Sequence, residues 1–538
     1  MKRWLTGLLL AAAIVATFVA ARDTALVTAG PQAGSDGASK ADETLSLQTF
    51  NQILALVEEN YVDEVDSQEL VRGAIRGMLG TLDPHSALLV PKDYQEMREE
   101  QKGSFSGLGI VISMKGEENE LTVISPIEGT PAFRAGIRAG DHISQIEGQS
   151  TDGITIDEAL ERLRGPRGTK VTISILREGY DQPLEYTLVR DDIPTVSINY
   201  AWMIRPGVGY IRIKSFTQTT ESELDEKIRM LRAQGMEKLL LDLRYNPGGL
   251  LEQAWRVSDR FLKKNSLIVY TKGRLKRESD REYHSMGRSE RFEMPLIVLV
   301  NKGSASASEI VAGAIQDHDR GLVVGETTWG KGLVQTVYPL AMGHGLALTT
   351  AKYYTPSGRL IQRDYDSLED YVMGNNIAPE EERQTSYTDG GRKVLGGGGI
   401  TPDVEVALDE PSQFTDTLER KTAFFDFAVS WTTNHPEPPD RATFQVTDAI
   451  LADFKSFLAK KKKDIKVTDE DFKANLDYLK LAIKAEVFGY HWGMEARQRV
   501  LAERDKQIHK ALELFPQASQ LPILAEQERP AAPEEKPR

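Results

Sequence analysis

The stretch Val300-Asn-Lys-Gly-Ser-Ala-Ser-Ala-Ser-Glu-Ile-Val-Ala-Gly-Ala-Ile315 runs from an apolar, strand-like segment through a series of small residues into a helical pattern. A serine at such a junction can present its hydroxyl outward while the first amides of the helix stabilise negative charge on a substrate carbonyl. The same residues admit a plainer reading, because Ser306-Ala-Ser-Glu309 has the form of a capping box. On either reading the strand-to-helix step belongs to an α/β core. Buried-strand runs at Lys238 to Leu243, Leu296 to Val300 and Leu322 to Gly325 alternate with helical spacing at Leu224, Ile228 and Leu231. This core is expected over residues 193–408.

Working outward, residues 103–192 change to short β-rich runs: Gly109 to Met114, Leu121 to Ile124 and Lys170 to Leu176. One helix interrupts them, started by the capping box Thr155-Ile-Asp-Glu158, continued by Ile156, Leu160 and Leu163, and ended by Gly165-Pro166. The pattern predicts a separate small α+β domain. Residues 45–102 form an N-terminal helical region, with Leu47, Phe50, Ile53, Leu54, Val57 and Tyr61 in phase, and then Leu70, Ala74 and Met78. Those stripes serve either as core or as a face for a second subunit. Beyond Pro411 the chain is mostly helical over 409–525, with Ile450, Leu451, Phe454 and Leu458 in phase, then Leu476, Tyr478, Leu479 and Ala482. The Pro- and Glu-rich residues 526–538 are expected to be disordered.

With 538 residues the chain is too long for one core, so a multidomain α/β protein is expected. A formal charge of −14 argues against nucleic acid, which requires clustered Lys and Arg. The absence of cysteine excludes disulfides, a thiol nucleophile, thiolate metal sites and a lipidated cysteine. No metal-ligand spacing is visible, and no metal or cofactor is expected. Met1-Lys-Arg3 followed by the apolar run Leu5 to Ala21 reads as an export signal over 1–21, with Val19-Ala-Ala21 as a cleavage point. The same run also allows membrane association as an N-terminal anchor. Residues 22–44, rich in Ala, Gly, Ser and Asp, read as a flexible linker. A periplasmic or cell-envelope location follows as an expectation.

A serine hydroxyl needs a base. His318 and His344 lack any recognisable partner motif. A lysine serves if burial disfavours its charged form, and Lys331, set among Trp329, Gly330, Gly332, Leu333 and Val334, has the surroundings for that. Here Gly-Ser-Ala-Ser-Ala-Ser-Glu-Ile (303 to 310), Gly-Glu-Thr-Thr-Trp-Gly-Lys-Gly-Leu-Val-Gln (325 to 335) and Leu-Asp-Leu-Arg-Tyr-Asn-Pro-Gly-Gly (241 to 249) resemble the hallmark motifs of carboxyl-terminal processing proteases, in that family's order. The resemblance implies a crotonase- and Clp-protease-like core with Ser306 as nucleophile, Lys331 as general base and Gln335 orienting the lysine. It also implies oxyanion-hole amides from Ala307 and from one of Gly248 and Gly249. The interval of 25 residues from Ser306 to Lys331 agrees with the family.

The segment from Phe105 to Ile110, together with Ser125 to Gly148, is similar to bacterial PDZ domains. That implies peptide binding by Gly107, Leu108, Gly109 and Ile110 as a carboxylate loop leading into a strand that accepts a peptide as an extra strand. Leu163-Arg-Gly-Pro-Arg-Gly168 resembles the family segment whose first arginine, here Arg164, helps couple peptide occupancy to activity. The implied partners are proteins or peptides with free C-termini, an envelope adaptor protein, and a second copy of the chain.

Two other readings compete. A non-catalytic PDZ adaptor accounts for residues 103–190 but leaves the Ser, Lys and Gln motifs unexplained. A nucleotide hydrolase is suggested by Gly325-Glu-Thr-Thr-Trp-Gly-Lys331, but Gly332 stands where a metal-ligating hydroxyl is needed, and the Asp242 strand precedes the loop instead of following it.

Overall fold

A computed structural model describes residues 47–115, 119–287, 291–366, 368–373, 377–461, 465 and 467–528. The export signal, the linker and all but three residues of the C-terminal tail lie outside the described residues.

The core is a six-stranded sheet in the order Tyr200–Arg205, Val208–Arg212, Lys238–Asp242, Leu296–Val300, Leu322–Gly325, Val404–Glu405. Its first pair is antiparallel and the rest are parallel. The central strands are apolar throughout because both faces are covered. Side chains alternate across a strand, so Leu239, Leu241, Leu296, Val298 and Val300 face one core, packed on the helices Thr220–Ala233, Leu251–Asp259 and Ala307–Asp317. Leu240, Ile297 and Leu299 face the other, against Ile508, Ala511, Phe515 and Ala518 of the helix Lys506–Glu528.

That second layer departs from the expected organisation. The last helix of the C-terminal region is part of the core sandwich, and it runs three residues into the stretch read as a tail. Arg244 anchors its start: its guanidinium donates to Asp505 at 2.8 Å and to Gln507 at 2.9 Å while pairing with buried Asp242. The remaining helices of this region make their own core, with Phe424, Phe427, Phe454, Leu458 and Leu479.

The helices Leu47–Asn60 and Ser67–Gly80 form where periodicity places them, yet their stripes are mostly uncovered: Leu47 is 80% exposed, Ile53 50% and Met78 60%. The chain then enters the core through a three-stranded contact. Ala87–Leu89 pairs with Gly345–Tyr354, which also pairs with Leu333–Pro339, the strand carrying Gln335.

The small domain has a five-strand path starting at the edge strand Ile110–Lys115. Its helix Ile156–Leu163 starts at Thr155 with both arms of the capping box in place. The back of this domain rests on the C-terminal helices, where Lys115 lies over the Phe425 ring at 3.5 Å and Gly140 leaves room for Val429, which a side chain there would strike.

Candidate active site

The Ser-Ala-Ser-Ala-Ser run contains three hydroxyls, and the fold distinguishes them. Ser304 and Ser308 are fully buried and donate to the carbonyls of Leu243 and Asn246, at 2.8 and 2.9 Å. Ser306 is half-buried and sits at the start of the helix Ala307–Asp317 with φ 54° and ψ −113°, a backbone conformation that costs energy in a residue with a Cβ. Such strain at a strand-to-helix turn aims a side chain away from the helix it begins.

Two backbone amides flank this serine. Gly248, at φ 107°, approaches so closely that a Cβ there would lie 2.7 Å from Ser306 Cβ and 3.0 Å from the Ala307 nitrogen. Gly248 spends its own N–H on Asn246 Oδ1 at 2.9 Å. Gly249 is pinned by neighbours on both sides, through Phe216 N–H to the Gly248 carbonyl and Leu250 N–H to the Phe216 carbonyl, each at 2.8 Å. Among the described residues, the N–H groups of Gly249 and Ala307 donate to no protein acceptor. Of the two glycines named from sequence, Gly249 therefore has the amide available to an oxyanion.

Lys331 reaches the same place through a buried carboxylate. Glu309 Oε2 accepts the N–H of Ser306 at 2.8 Å and of Lys331 at 2.9 Å, while Oε1 accepts Gly330 N–H at 2.7 Å and the Thr328 hydroxyl at 2.5 Å. Burial pushes the Glu309 carboxyl up, and these four donors pull it back. From the other side, the Tyr353 hydroxyl lies 3.0 Å from the Ser306 carbonyl and 2.5 Å from that of Lys331. The capping-box reading of Glu309 and the nucleophile reading of Ser306 are thus compatible, since the carboxylate fixes the turn that presents the serine. Burial pulls the Lys331 ammonium down to about 8, opposed by the charges of Asp83 and Glu309.

Gln335 follows on the adjoining strand, but its amide N–H donates to the Thr349 hydroxyl at 3.2 Å, and no hydrogen bond joins it to Lys331. His318 is used elsewhere, between Asp389 and the Leu267 carbonyl. Asp242 is closed off by Arg244 and the Tyr210 hydroxyl, which leaves the nucleotide-hydrolase reading without its metal ligand. Among the described residues, no group of three or more His, Asp or Glu side chains is placed to hold a metal ion.

The second site lies in the small domain. Gly107, Leu108, Gly109 and Ile110 line a groove of about 190 Å³ together with Ile112, Ile156, Leu160, Leu163 and Arg164. Gly109, at φ 76°, has no room for a side chain, because a Cβ would strike Thr130. Arg164, at the C-terminal end of the helix Ile156–Leu163, is half-buried. It stacks on Phe105 at 4.8 Å, faces Glu96 at 3.8 Å, and leaves a buried Nε without a hydrogen-bond partner.

Comparisons with known proteins identify the domains that carry these residues. Residues 207–372 match the model of peptidase family S41, and 122–177 match that of the PDZ domain. Residues 10–90 match the activating protease CtpB N-terminal domain, and 414–470 the C-terminal helical domain of a probable PDZ-protease. A carboxy-terminal-processing protease of Bartonella bacilliformis is 45% identical over 320 residues, 59% of this chain and 72% of that protein. This chain belongs to the carboxy-terminal processing protease family. A carboxyl-terminal-processing protease of Synechocystis is 41% identical over 324 residues, covering 59% of this chain and 74% of the relative. For CtpA of Bacillus subtilis the identity is 35%, with 62% and 69% covered. The α/β core and the PDZ domain expected from sequence are those of this family.

Asp83, His85, Glu309 and Tyr353 are the residues that sequence reading did not place at the site. Glu309 was visible only as a helix cap, and the Asp83-Pro-His-Ser86 turn only as the end of a helix.

Proposed function

We propose that this chain is an exported serine endopeptidase of the periplasm or cell envelope. In this reading it selects substrates by their free C-terminal tails through its PDZ domain and cleaves them with a Ser306/Lys331 dyad through an acyl-enzyme. Neutral Lys331 takes the proton as Ser306 Oγ bonds to the substrate carbonyl carbon. The oxyanion is received by the N–H groups of Ala307 and Gly249. The protonated lysine then passes its proton to the leaving amine as the C–N bond breaks. Water, deprotonated by the same lysine, releases the acyl group and restores the serine.

One observation carries this reading: a half-buried, strained Ser306 and a lysine lowered to about 8 are tied to the same carboxylate, with two undonated amides beside the serine. The exposed apolar side chains of the first two helices support self-association through that region, or docking of an envelope adaptor. The charged start Met1-Lys-Arg3 and the apolar run Leu5 to Ala21 support export, with or without a retained anchor.

The test uses purified full-length protein, a fluorophosphonate probe and an unfolded protein substrate. Wild type is expected to label and cleave. Ser306→Ala and Lys331→Ala are each expected to lose both activities while unfolding at the wild-type temperature, and combining them adds little because the two act as one unit. Labelling of Ser306→Ala at the wild-type rate would reject the nucleophile. Undiminished cleavage by Lys331→Ala would reject the base.

A further inference from the structure

The segment between the N-terminal helices and the core reads Leu82-Asp-Pro-His-Ser-Ala87. Pro84 cannot continue a helix, and Asp83 closes the turn on itself. Its Oδ1 accepts the N–H groups of His85 at 2.8 Å and Ser86 at 2.9 Å, and its Oδ2 accepts the Ser86 hydroxyl at 2.7 Å. Taken alone this is an ordinary Asx turn. Its neighbours make it more than that.

The Ser86 oxygen, fixed by Asp83, accepts the backbone N–H of Thr349 at 3.1 Å. Thr349 stands opposite Gln335 in the antiparallel register of Gly345–Tyr354 and Leu333–Pro339, and its hydroxyl accepts the Gln335 amide N–H. The chain of contacts thus runs from Asp83 through Ser86 and Thr349 to the residue four positions after Lys331. A second route leaves from His85. Its Nε2 lies 2.7 Å from the Tyr371 hydroxyl, with the two rings edge-on at 5.5 Å. Tyr371 in turn meets Trp329 edge-on at 5.8 Å, two residues before Lys331. The turn therefore grips the lysine segment from both sides.

The electrostatics agree with the geometry. Burial, and after it the Lys331 charge, lowers His85 to about 3, so this histidine is neutral and acts as a wall, not as a proton carrier. The charged and titratable groups around the Lys331 segment are Asp83 and His85 from the turn, Glu309 from the nucleophile helix, Tyr353 and Tyr371 from the far side, and the guanidinium of Arg363, which lies over Trp329 at 4.6 Å. Of these, Asp83 and Glu309 are the carboxylates that oppose the effect of burial on the lysine. Glu309 is consumed by four donors within the core, whereas Asp83 enters from the N-terminal region.

We propose that Asp83 is a positioning residue for the catalytic base, acting on Lys331 through its charge and on Gln335 through Ser86 and Thr349, so that the base is complete only when the Asp83–Ser86 turn is docked. The proposal rests on the reading of Lys331 as general base. It makes the N-terminal helices, which feed directly into this turn, an input to the chemistry and not only an attachment surface.

The experiment measures the fluorophosphonate labelling rate of full-length protein from about pH 6 to about pH 9, where the acid limb reports the base. Asp83→Asn keeps the Oδ1 acceptor of the two backbone N–H groups, but removes the charge and the Oδ2 acceptor of the Ser86 hydroxyl. Its acid limb is expected to move to lower pH, because a carboxylate that favours the ammonium is gone. Ser86→Ala keeps the charge and breaks the chain to Thr349. Its limb is expected to stay in place while the high-pH plateau falls roughly tenfold from lost alignment. Asp83→Glu is expected to return the limb toward wild type. A merely structural turn predicts lower folding yield or plateau with an unmoved limb in Asp83→Asn, and that result overturns the proposal. So does a Ser86→Ala plateau equal to wild type. If Asp83→Asn does not fold, the Ser86→Ala plateau decides by itself. Lys331→Ala is run alongside: wild-type labelling by that variant defeats the base assignment itself, whatever the Asp83 variants do.

Discussion

Ser306 and Lys331 donate their backbone N–H groups to the same oxygen, Glu309 Oε2, at 2.8 and 2.9 Å. A strained turn and a glycine-rich loop are thereby held in register by one buried side chain, whose other oxygen holds Thr328 and Gly330. All four contacts need an acceptor. Glu309→Gln replaces one oxygen with an NH2 group facing donors, so it is expected to lose at least a hundredfold in kcat and to cost about 2–4 kcal/mol of stability. Denaturant unfolding alongside initial rates checks both. Wild-type activity in this variant would show that the shared oxygen is dispensable.

The pH dependence follows from the lysine. A base lowered to about 8 is mostly protonated at neutral pH and becomes competent as pH rises, so kcat/KM is expected to climb tenfold per unit below about 8 and level off above it. Lys331→Arg, which stays charged at every accessible pH, should show no such limb and no activity. A wild-type profile flat between about pH 6 and about pH 9 is incompatible with this base.

Much of this was legible in the sequence where the signal is local. The strand Leu296–Val300 and the helix start at Thr155 were read at their observed positions, because a continuous apolar run and a capping box each act within a few residues. Ser306 and Lys331 were legible through motif resemblance. The partners that make them work were not. Glu309 carries a cap signal that conceals its contacts with Gly330 and Lys331, and Tyr353 and Asp83 arrive from strands and turns distant in sequence. Residues 506–528 fell within a region read only as mostly helical, and nothing in their sequence says that they cover the reverse face of Leu240, Ile297 and Leu299.

That covering has a consequence for truncation. Removing 505–538 uncovers the back of the catalytic sheet and leaves Arg244 without Asp505 and Gln507. Each large apolar side chain lost from this face, such as Ile508 or Phe515, removes about 2 kcal/mol of burial. The truncated chain is expected to be insoluble, whereas Phe515→Ala should remain folded with a destabilisation of about 3–5 kcal/mol. A soluble, active truncation would show that the helix is peripheral after all.

The first helices carry the opposite feature, apolar side chains with no cover. Leu47, Leu56 and Met78 are 80%, 59% and 60% exposed. If a second copy covers them, Leu56→Glu should convert the assembly to monomers by light scattering while leaving the thermal unfolding of the monomer unchanged. An unaltered mass would place any self-association elsewhere.

Arg164 lines the PDZ groove and also faces the helix that leads toward the core. Its guanidinium lies 3.8 Å from Glu96 on the helix Pro91–Lys102, and that helix is further tied to the PDZ helix by the Lys92–Glu161 pair at 2.6 Å. The helix directly follows the strand Ala87–Leu89, which pairs with Gly345–Tyr354 beside the Gln335 strand. On the proposed reading, a substrate carboxylate entering at Gly107–Ile110 would compete with Glu96 for one arginine. Occupancy can change activity only if peptide binds the active arrangement more tightly than the resting one. A substrate ending in a free apolar carboxylate is expected to be cut faster than the same substrate amidated or ending in Asp, because Leu108, Ile112, Ile156 and Leu160 line the groove. Arg164→Ala should abolish stimulation by an added free-carboxylate peptide, and Glu96→Gln should tighten that peptide's binding by removing the competing charge. Equal cleavage of all three substrates by wild type would reject terminal recognition, and normal stimulation of Arg164→Ala would remove that arginine from the coupling.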